Sequence, residues 1–327
     1  MDIDLKDKKI LLELDLNSRQ SYSIIAKKVN LSKEVVNYRI TKLVQEGIIT
    51  NFTCIIDYSR LGVIAFRTFL RLCNLDKTKE EEIINYLKKT SQVGWGVTII
   101  GRWDINFIFW CRDIYEFTTF WGQFYIKFGE HIENKSTTIT DWYYIYPKAF
   151  ILPKYLTEIP VYNYYKKNFE DQNIKLDKTD FKILSILAKN SRARIIDIAK
   201  EVNLSETTVL SRIKDFERKK IILAYNIGID INKIGYNYFK LHMNYKDFNL
   251  KRYNDLLGYC QYQENIWSAT HLIGGDDIEI DVYIEDEERY MKFLNDIRSK
   301  FSDIIKNYET INYHKEFKYN LFPIDIK

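Results

Sequence analysis

The sequence predicts an α+β chain made of two copies of one helix-then-sheet unit. Three observations predict it. First, a shift of 173 residues lays the chain on itself without a gap. Asn17-Ser18-Arg19 falls on Asn190-Ser191-Arg192, Val29-Asn30-Leu31-Ser32 on Val202-Asn203-Leu204-Ser205, and Ile48-Ile49 on Ile221-Ile222, with about 24 of the first 59 aligned positions identical. So long a period marks a duplicated unit rather than a solenoid. Second, the opening of each copy spaces its apolar residues at i, i+3/i+4 and i+7, the helical pattern. Third, the remainder of each copy alternates β-rich runs with amphipathic helical runs.

The elements follow in order. A first helix over about 5–15 puts Ile10, Leu11 and Leu14 on one face, and its copy over about 178–189 does so with Ile183, Leu184 and Leu187. A second helix, about 22–29, contributes Ile25, Ala26 and Val29, matched by Ile198, Ala199 and Val202. After a short turn, Ser32 and Ser205 cap a third helix by accepting its free first-turn N–H groups. Val36, Ile40 and Leu43 form its buried stripe, as do Val209, Ile213 and Phe216 in the copy. Three helices with a short turn between the second and third give the helix-turn-helix plan. Extended runs, Phe52 to Asp57 and Ile221 to Asp230, then lead onward.

The second half of unit one reads as strand Phe66–Leu72, helix Lys79–Lys89, strands Val97–Ile100 and Ile105–Trp110, helix Asp113–Lys127 and strand Ser136–Tyr146. Gly101-Arg102-Trp103-Asp104 is the hairpin turn between the two middle strands. In unit two, Ile278, Ile280 and Val282 alternate with Glu279, Asp281 and Tyr283, so one face is expected apolar and the other wet. The order βαββαβ is the ferredoxin-like split motif. The expected organisation is therefore a helix-turn-helix domain at 1–60, a ferredoxin-like domain at 61–146, a strap and linker at 147–173, a second helix-turn-helix at 174–233 and a second ferredoxin-like domain at 234–327. Phe150, Ile151 and Leu152 make the first half of the strap too apolar for a free tether.

Bulk composition narrows the function. The chain has 327 residues, 46% of them apolar, without a run of 18 apolar residues. A membrane span is thus not expected. The acidic start, Met1-Asp2-Ile3-Asp4, lacks a signal-peptide pattern, so a cytoplasmic protein is expected. Cys54, Cys73, Cys111 and Cys260 show no Cys-x-x-Cys pair, and His131, His242, His271 and His314 no metal spacing. Reduced thiols, no metal and no cofactor follow as expectations. Neither a nucleophile triad nor a phosphate-binding glycine motif occurs, so an enzyme is not expected. Net charge is +4. It gathers at the helical segments, about +2 over 1–60 and about +5 over 174–235, against about 0 over 61–146 and about −4 over 236–327. Positive charge there suits phosphate contact.

The third helix of each unit presents a mostly polar outer face, the property that lets such a helix read a major groove. Arg39 and Arg212 are the leading DNA contacts, because a guanidinium grips phosphate or guanine. A salt bridge to a first-helix carboxylate is the alternative. Asn37 and Tyr38 are placed to touch base edges, with Thr207, Thr208 and Ser211 in the copy. Lys33, Lys42 and Lys214 suit phosphates, adding salt-dependent affinity with little sequence information. Ser32 and Ser205 are caps first, with phosphate contact second.

The arrangement resembles the leucine-responsive regulatory protein (Lrp/AsnC) family of transcription regulators. The resemblance covers the whole chain twice. It rests on Asp7, Ile10-Leu11, Leu14, Asn17-Ser18-Arg19, Ile25-Ala26, Val29-Asn30-Leu31-Ser32, Val36, Arg39-Ile40, Leu43 and Gly47-Ile48-Ile49. Copy two departs at Lys220, where the pattern has the glycine seen at Gly47. The resemblance implies a double-stranded DNA partner and a βαββαβ domain that pairs units and senses a small molecule, often an amino acid. The implied sensing loops are Gly101, Trp103 and Asp104 in unit one and Gly274, Asp276 and Asp277 in unit two; simple turn chemistry is the alternative. Members usually carry one unit per chain, so two units imply a built-in pseudo-dimer, a homodimer or a larger oligomer. Two rival readings share the architecture: an enzyme similar to the sirohaem decarboxylases, and a sensor or scaffold without DNA binding.

Overall fold

The computed structural model describes residues 3–74, 76–153, 162–164, 174–247, 249–320 and 322. In the first helical bundle, α1 (Leu5–Leu16), α2 (Tyr22–Val29) and α3 (Lys33–Gln45) close over Ile10, Leu11, Leu14, Ile25, Val36, Ile40 and Leu43. Asp4 starts α1 through a reciprocal capping box with Asp7. Ser21 and Ser32 cap α2 and α3. Asn30 ends α2 in the left-handed region at φ 55°, which turns the chain into α3.

β1 (Ile49–Ile56) follows, then β2 (Ile64–Leu72), α4 (Lys77–Lys89), β3 (Val93–Ile100), β4 (Ile105–Cys111), α5 (Ile114–Phe128), β5 (Ile132–Ile145) and the short β6 (Tyr162–Tyr164). Unit two repeats the plan with α6 (Lys178–Lys189), α7 (Ile195–Val202), α8 (Glu206–Arg218), β7 (Ile222–Ile229), β8 (Asn237–Tyr245), α9 (Leu250–Gln261), β9 (Ile266–Ile273), β10 (Ile278–Ile284), α10 (Glu287–Lys300) and β11 (Ile305–Tyr319). The sequence reading placed the helical bundles of both units and the βαββαβ elements of unit one to within a few residues. Its strand at Ser136–Tyr146 starts four residues earlier, because β5 also pairs with β2.

Each βαββαβ half-sheet runs β5-β2-β4-β3 or β11-β8-β10-β9. The halves then join edge to edge: β3 pairs with β11, and β5 pairs with β9. All these ladders are antiparallel, and the eight strands close into a barrel, so no edge among them stays open. Helices α4 and α5 cover one half through Ile83, Leu87, Phe120 and Phe124. Helices α9 and α10 cover the other through Leu256, Cys260, Tyr290 and Ile297. The alternate side chains point into the lumen.

A pseudo-twofold axis runs through the molecule. β1 and β7 pair antiparallel with each other, so the strand after each recognition helix is completed by its counterpart in the other unit. On the axis, Ser18 Oγ meets Ser191 Oγ at 2.6 Å. Ser18 N donates to Tyr225 O and Ser191 N to Phe52 O, both at 2.9 Å. Arg19 donates to the Ser191 carbonyl and Arg192 to the Ser18 carbonyl. The bundles are exchanged: the first packs on Ile227, Ile231 and Tyr236 of unit two, and the second on Ile56, Tyr58, Ala65 and Trp110 of unit one.

The strap packs as its composition predicts. Phe150 and Ile151 enter the core of the first bundle. Lys148 Nζ lies 2.5 Å from Asp15 and 3.0 Å from the Ile227 carbonyl, so one buried ion pair ties the strap, α1 and β7 together. The expected linker at Lys166–Asn173 lies outside the described residues.

Candidate nucleic-acid interface

The recognition helices form because each has a capping serine, an unbroken run without proline or glycine, and one apolar stripe. With Val36, Ile40 and Leu43 fully engaged, geometry turns Lys33, Asn37, Tyr38, Thr41 and Lys42 to solvent, and all five are exposed. Tyr38 is 67% accessible, far more than a ring held for packing alone. In α8 the exposed set is Thr207, Thr208, Leu210, Ser211 and Lys214. Both capping serines are also at the surface, and Ser205 shares its hydroxyl with Thr207 and Thr208.

Arg39 and Arg212 are placed differently from the rest. Arg39 Nη1 lies 2.7 Å from Asp4 and 2.8 Å from Asp7, the two residues of the α1 capping box. Arg212 repeats this with Asp177 and Asp180, both at 2.7 Å. Each side chain keeps roughly a quarter of its surface, 26% and 29%. The salt bridge to first-helix carboxylates is therefore the geometry present, and these arginines lock α3 on α1 and α8 on α6. The carboxyl of Asp4 is held below its usual range, first by the Asp7 backbone N–H and, against partial burial, by Arg39. Two recognition faces thus combine exposed lysines, of which Lys42 lies 3.9 Å from Glu46, with uncharged polar groups, while their arginines are engaged within the bundle.

The two units differ in charge at this surface. In α8, Glu206 stands where α3 has Lys33, and Asp215 stands where α3 has Lys42. Asp215 is bound to Arg218 and Lys219, which offset its negative charge. Lys214 on α8 occupies the position of Thr41.

The sensing loops are held as turns. Asp104 accepts the Leu72 N–H at 2.7 Å and a bond from Arg71 at 3.1 Å. Asp277 accepts the Tyr245 N–H at 2.7 Å. These are symmetry-equivalent anchors of each hairpin to its first strand, so the aspartates meet the demand that turn chemistry makes of them. Gly101, Gly274 and Gly275 adopt positive φ, at 138°, 84° and 73°. Trp103 is buried against Phe69, whereas its equivalent Asp276 receives His242 Nδ1 at 2.9 Å and Asn244 at 2.8 Å. Arg102, Gly101, Ile100, Ile273, Gly274 and Gly275 are the exposed parts. His271 is stacked on Trp142 and bonded to Asp141. Surface clefts among the described residues lie elsewhere, one of about 410 Å³ between α6 and α7 and one of about 750 Å³ beside the end of α10.

Residues that sequence reasoning passed over also matter. Arg67, Lys240, Glu279 and Asp281 form a buried ion cluster in the lumen. The one signal for it was polar alternation on β10, which was read as a wet face. Closure of the barrel makes that face interior.

Comparison with known proteins agrees with this geometry. Residues 3–50 and 176–222 each match the winged helix-turn-helix DNA-binding family. The chain is 30% identical over 125 residues to the HTH-type transcriptional regulator LrpB of Bacillus subtilis, covering 38% of this chain and 82% of that protein. It is 44% identical over 62 residues to the HTH-type transcriptional regulator LrpA of Pyrococcus horikoshii, 19% of this chain and 44% of that one. The crystal structure of the siroheme decarboxylase NirDL has the same fold across both units, with a TM-score of 0.62 and 13% identity, covering 97% of this chain and 94% of that one. Two matched helix-turn-helix segments, each followed by a βαββαβ domain, place this chain in the Lrp/AsnC family of transcriptional regulators as a tandem member.

Proposed function

We propose that the protein is a sequence-specific double-stranded DNA-binding regulator that carries both of its reading heads on one chain. The observation that carries this reading is the pair of exposed recognition faces, α3 and α8, related by a pseudo-twofold axis that is locked by the Ser18–Ser191 contact and the β1–β7 ladder. A twofold pair of such helices suits successive major-groove segments about 34 Å apart. Lys33, Lys42 and Lys214 supply phosphate contacts; Asn37, Tyr38, Thr207, Thr208 and Ser211 face the base edges. Ser32 and Ser205 offer first-turn N–H groups to phosphate. Arg39 and Arg212 set the helix angle and reach DNA only by leaving their carboxylates. Because the two faces differ, the preferred site is asymmetric.

The test is fluorescence anisotropy of the full chain against its own promoter and a scrambled duplex across a salt series. A specific complex whose affinity falls steeply with salt is expected. Equal weak binding to both duplexes would remove the regulator reading.

We further propose that a small molecule such as an amino acid acts at the β3–β4 and β9–β10 loops. Their exposed glycine backbone and the aliphatic Ile100 and Ile273 support this, rather than Asp104 and Asp277, which anchor each hairpin to its first strand. Calorimetric titration with the twenty amino acids tests it, and heats no larger than dilution count against it. The siroheme-decarboxylase plan is the rival reading, supported by the likeness of fold over the whole chain. Against it, the lumen cations Arg67 and Lys240 are already paired with Glu279 and Asp281. A Soret band that shifts when an iron porphyrin is added would favour the enzyme.

A further inference from the structure

The charges inside the barrel do not balance within either repeat. Among the described residues, unit one contributes one buried ion to the lumen, Arg67 on β2. Unit two contributes three, Lys240 on β8 with Glu279 and Asp281 on β10; His242 on β8 faces the same interior but has a carboxylate of its own, Asp276, 2.9 Å from Nδ1, and that pair is counted apart. Lys240 is the repeat equivalent of Arg67, but the equivalents of the two acids are Asn106 and Ile108. One half thus carries a surplus cation and the other a surplus anion.

The surplus charges find each other across the lumen. Arg67 pairs with Glu279, although β2 and β10 are not neighbours in the sheet. Lys240 Nζ lies 3.0 Å from Glu279 and 2.8 Å from Asp281. Tyr238 and Ser268 also donate to Asp281. All four ions are at most 7% exposed. The two seams, β3–β11 and β5–β9, are backbone ladders with a few surface side-chain contacts, such as Trp95 with Glu316 and His271 with Asp141. The lumen ions are the buried part of the choice of which half meets which, where a mismatch costs most.

We infer that the half-barrel of each repeat is an interaction surface that accepts only a half-barrel of the other kind. Two copies of unit one would bury two guanidinium groups without a carboxylate. Two copies of unit two would bury four carboxylates against two ammonium groups. Only the mixed pair is neutral, and an uncompensated buried ion is heavily penalised. The chain therefore closes its barrel on itself or by reciprocal exchange with a second copy, and every closed assembly holds α3 and α8 in equal number. This inference is independent of DNA binding.

The experiment uses the full chain with a protease site placed within residues 165–173, between the repeats. The folded protein is cut, unfolded in urea, refolded and weighed by native mass spectrometry. Random reassortment would give half mixed pairs and a quarter of each like pair. The expected share of like pairs is at least about 100-fold below random. A random distribution overturns the inference. In the Arg67→Met chain, unit one loses its surplus cation, and its like pairs should rise at least tenfold over the parent; no rise rules out charge as the discriminator. If the cut chain does not recover its tryptophan emission on refolding, the same masses are counted after native exchange between cut chains of ordinary and ¹⁵N mass. Like pairs above a few per cent then overturn the inference equally.

Discussion

Replacing Glu279 by glutamine removes one negative charge from the lumen while keeping shape and volume. Glu279 is fully buried, with Lys240 Nζ 3.0 Å away and Arg67 in direct contact. Burial pushes its carboxyl up, but Arg67, then Lys240, then His242 outweigh that and hold it down at about 2. Against an ordinary value near 4.5 that difference corresponds to roughly 3 kcal/mol favouring the charged form in the folded state. Breaking a buried pair on one side costs about 3–5 kcal/mol by an independent route, so the two figures agree. E279Q should lower the urea midpoint of the barrel by about 1 M, given a slope of about 2–3 kcal/mol/M. Tryptophan emission is the assay, because all six tryptophans lie between Trp95 and Trp267 and none lies in a helix-turn-helix bundle. R67M alone should cost a similar amount. The R67M/E279Q double variant should lose much less than the sum of the two singles, since it removes a pair rather than orphaning a partner. A midpoint shift under about 0.2 M for E279Q, or strict additivity in the double variant, would refute the assignment of stability to this ion pair.

Further expectations concern pH, backbone and DNA. The folded pKa of Glu279 is depressed, so its contribution is complete above about 4.5 and fades as pH falls toward about 2. An acid titration followed by tryptophan emission should therefore show a shallower loss of stability for E279Q across that window, and parallel curves would contradict it. Lys220 sits at φ 56° where the first repeat has Gly47 at φ 67°. Lys220→Gly should raise stability by about 0.5–1 kcal/mol in thermal melts read by circular dichroism, and an unchanged or lower melting temperature would speak against backbone strain. Lys42→Ala should reduce the salt slope of DNA binding by about one. Arg39→Met should instead lower the thermal stability of the first bundle while leaving the slope unchanged; a slope reduced as much as for Lys42 would show that Arg39 reaches phosphate.

The repeat, the two helical bundles and the βαββαβ order were legible because each rests on local chemistry. Capping residues at Ser32 and Ser205, and apolar stripes such as Val36-Ile40-Leu43, act within a few residues of themselves. The exposed faces of α3 and α8 followed directly from those stripes. Arg39 and Arg212 were harder, since a guanidinium at that position serves a phosphate or a neighbouring carboxylate equally well. The capping box of α1 turned out to supply that carboxylate.

The sequence by itself determined the elements, their duplication and which side of each helix is wet, because propensity, capping and periodicity are set by neighbours along the chain. It also kept Asn-Ser-Arg identical in both copies, a trace of residues that meet on the pseudo-twofold axis. Only the tertiary structure decided that the half-sheets close into one barrel, that the bundles exchange sides, and that Arg67 meets Glu279 more than two hundred positions away. A strand that alternates apolar and polar residues specifies two faces but not which of them meets water. Closure of the barrel settled that by turning the polar face inward, where a charge is tolerated only beside its opposite.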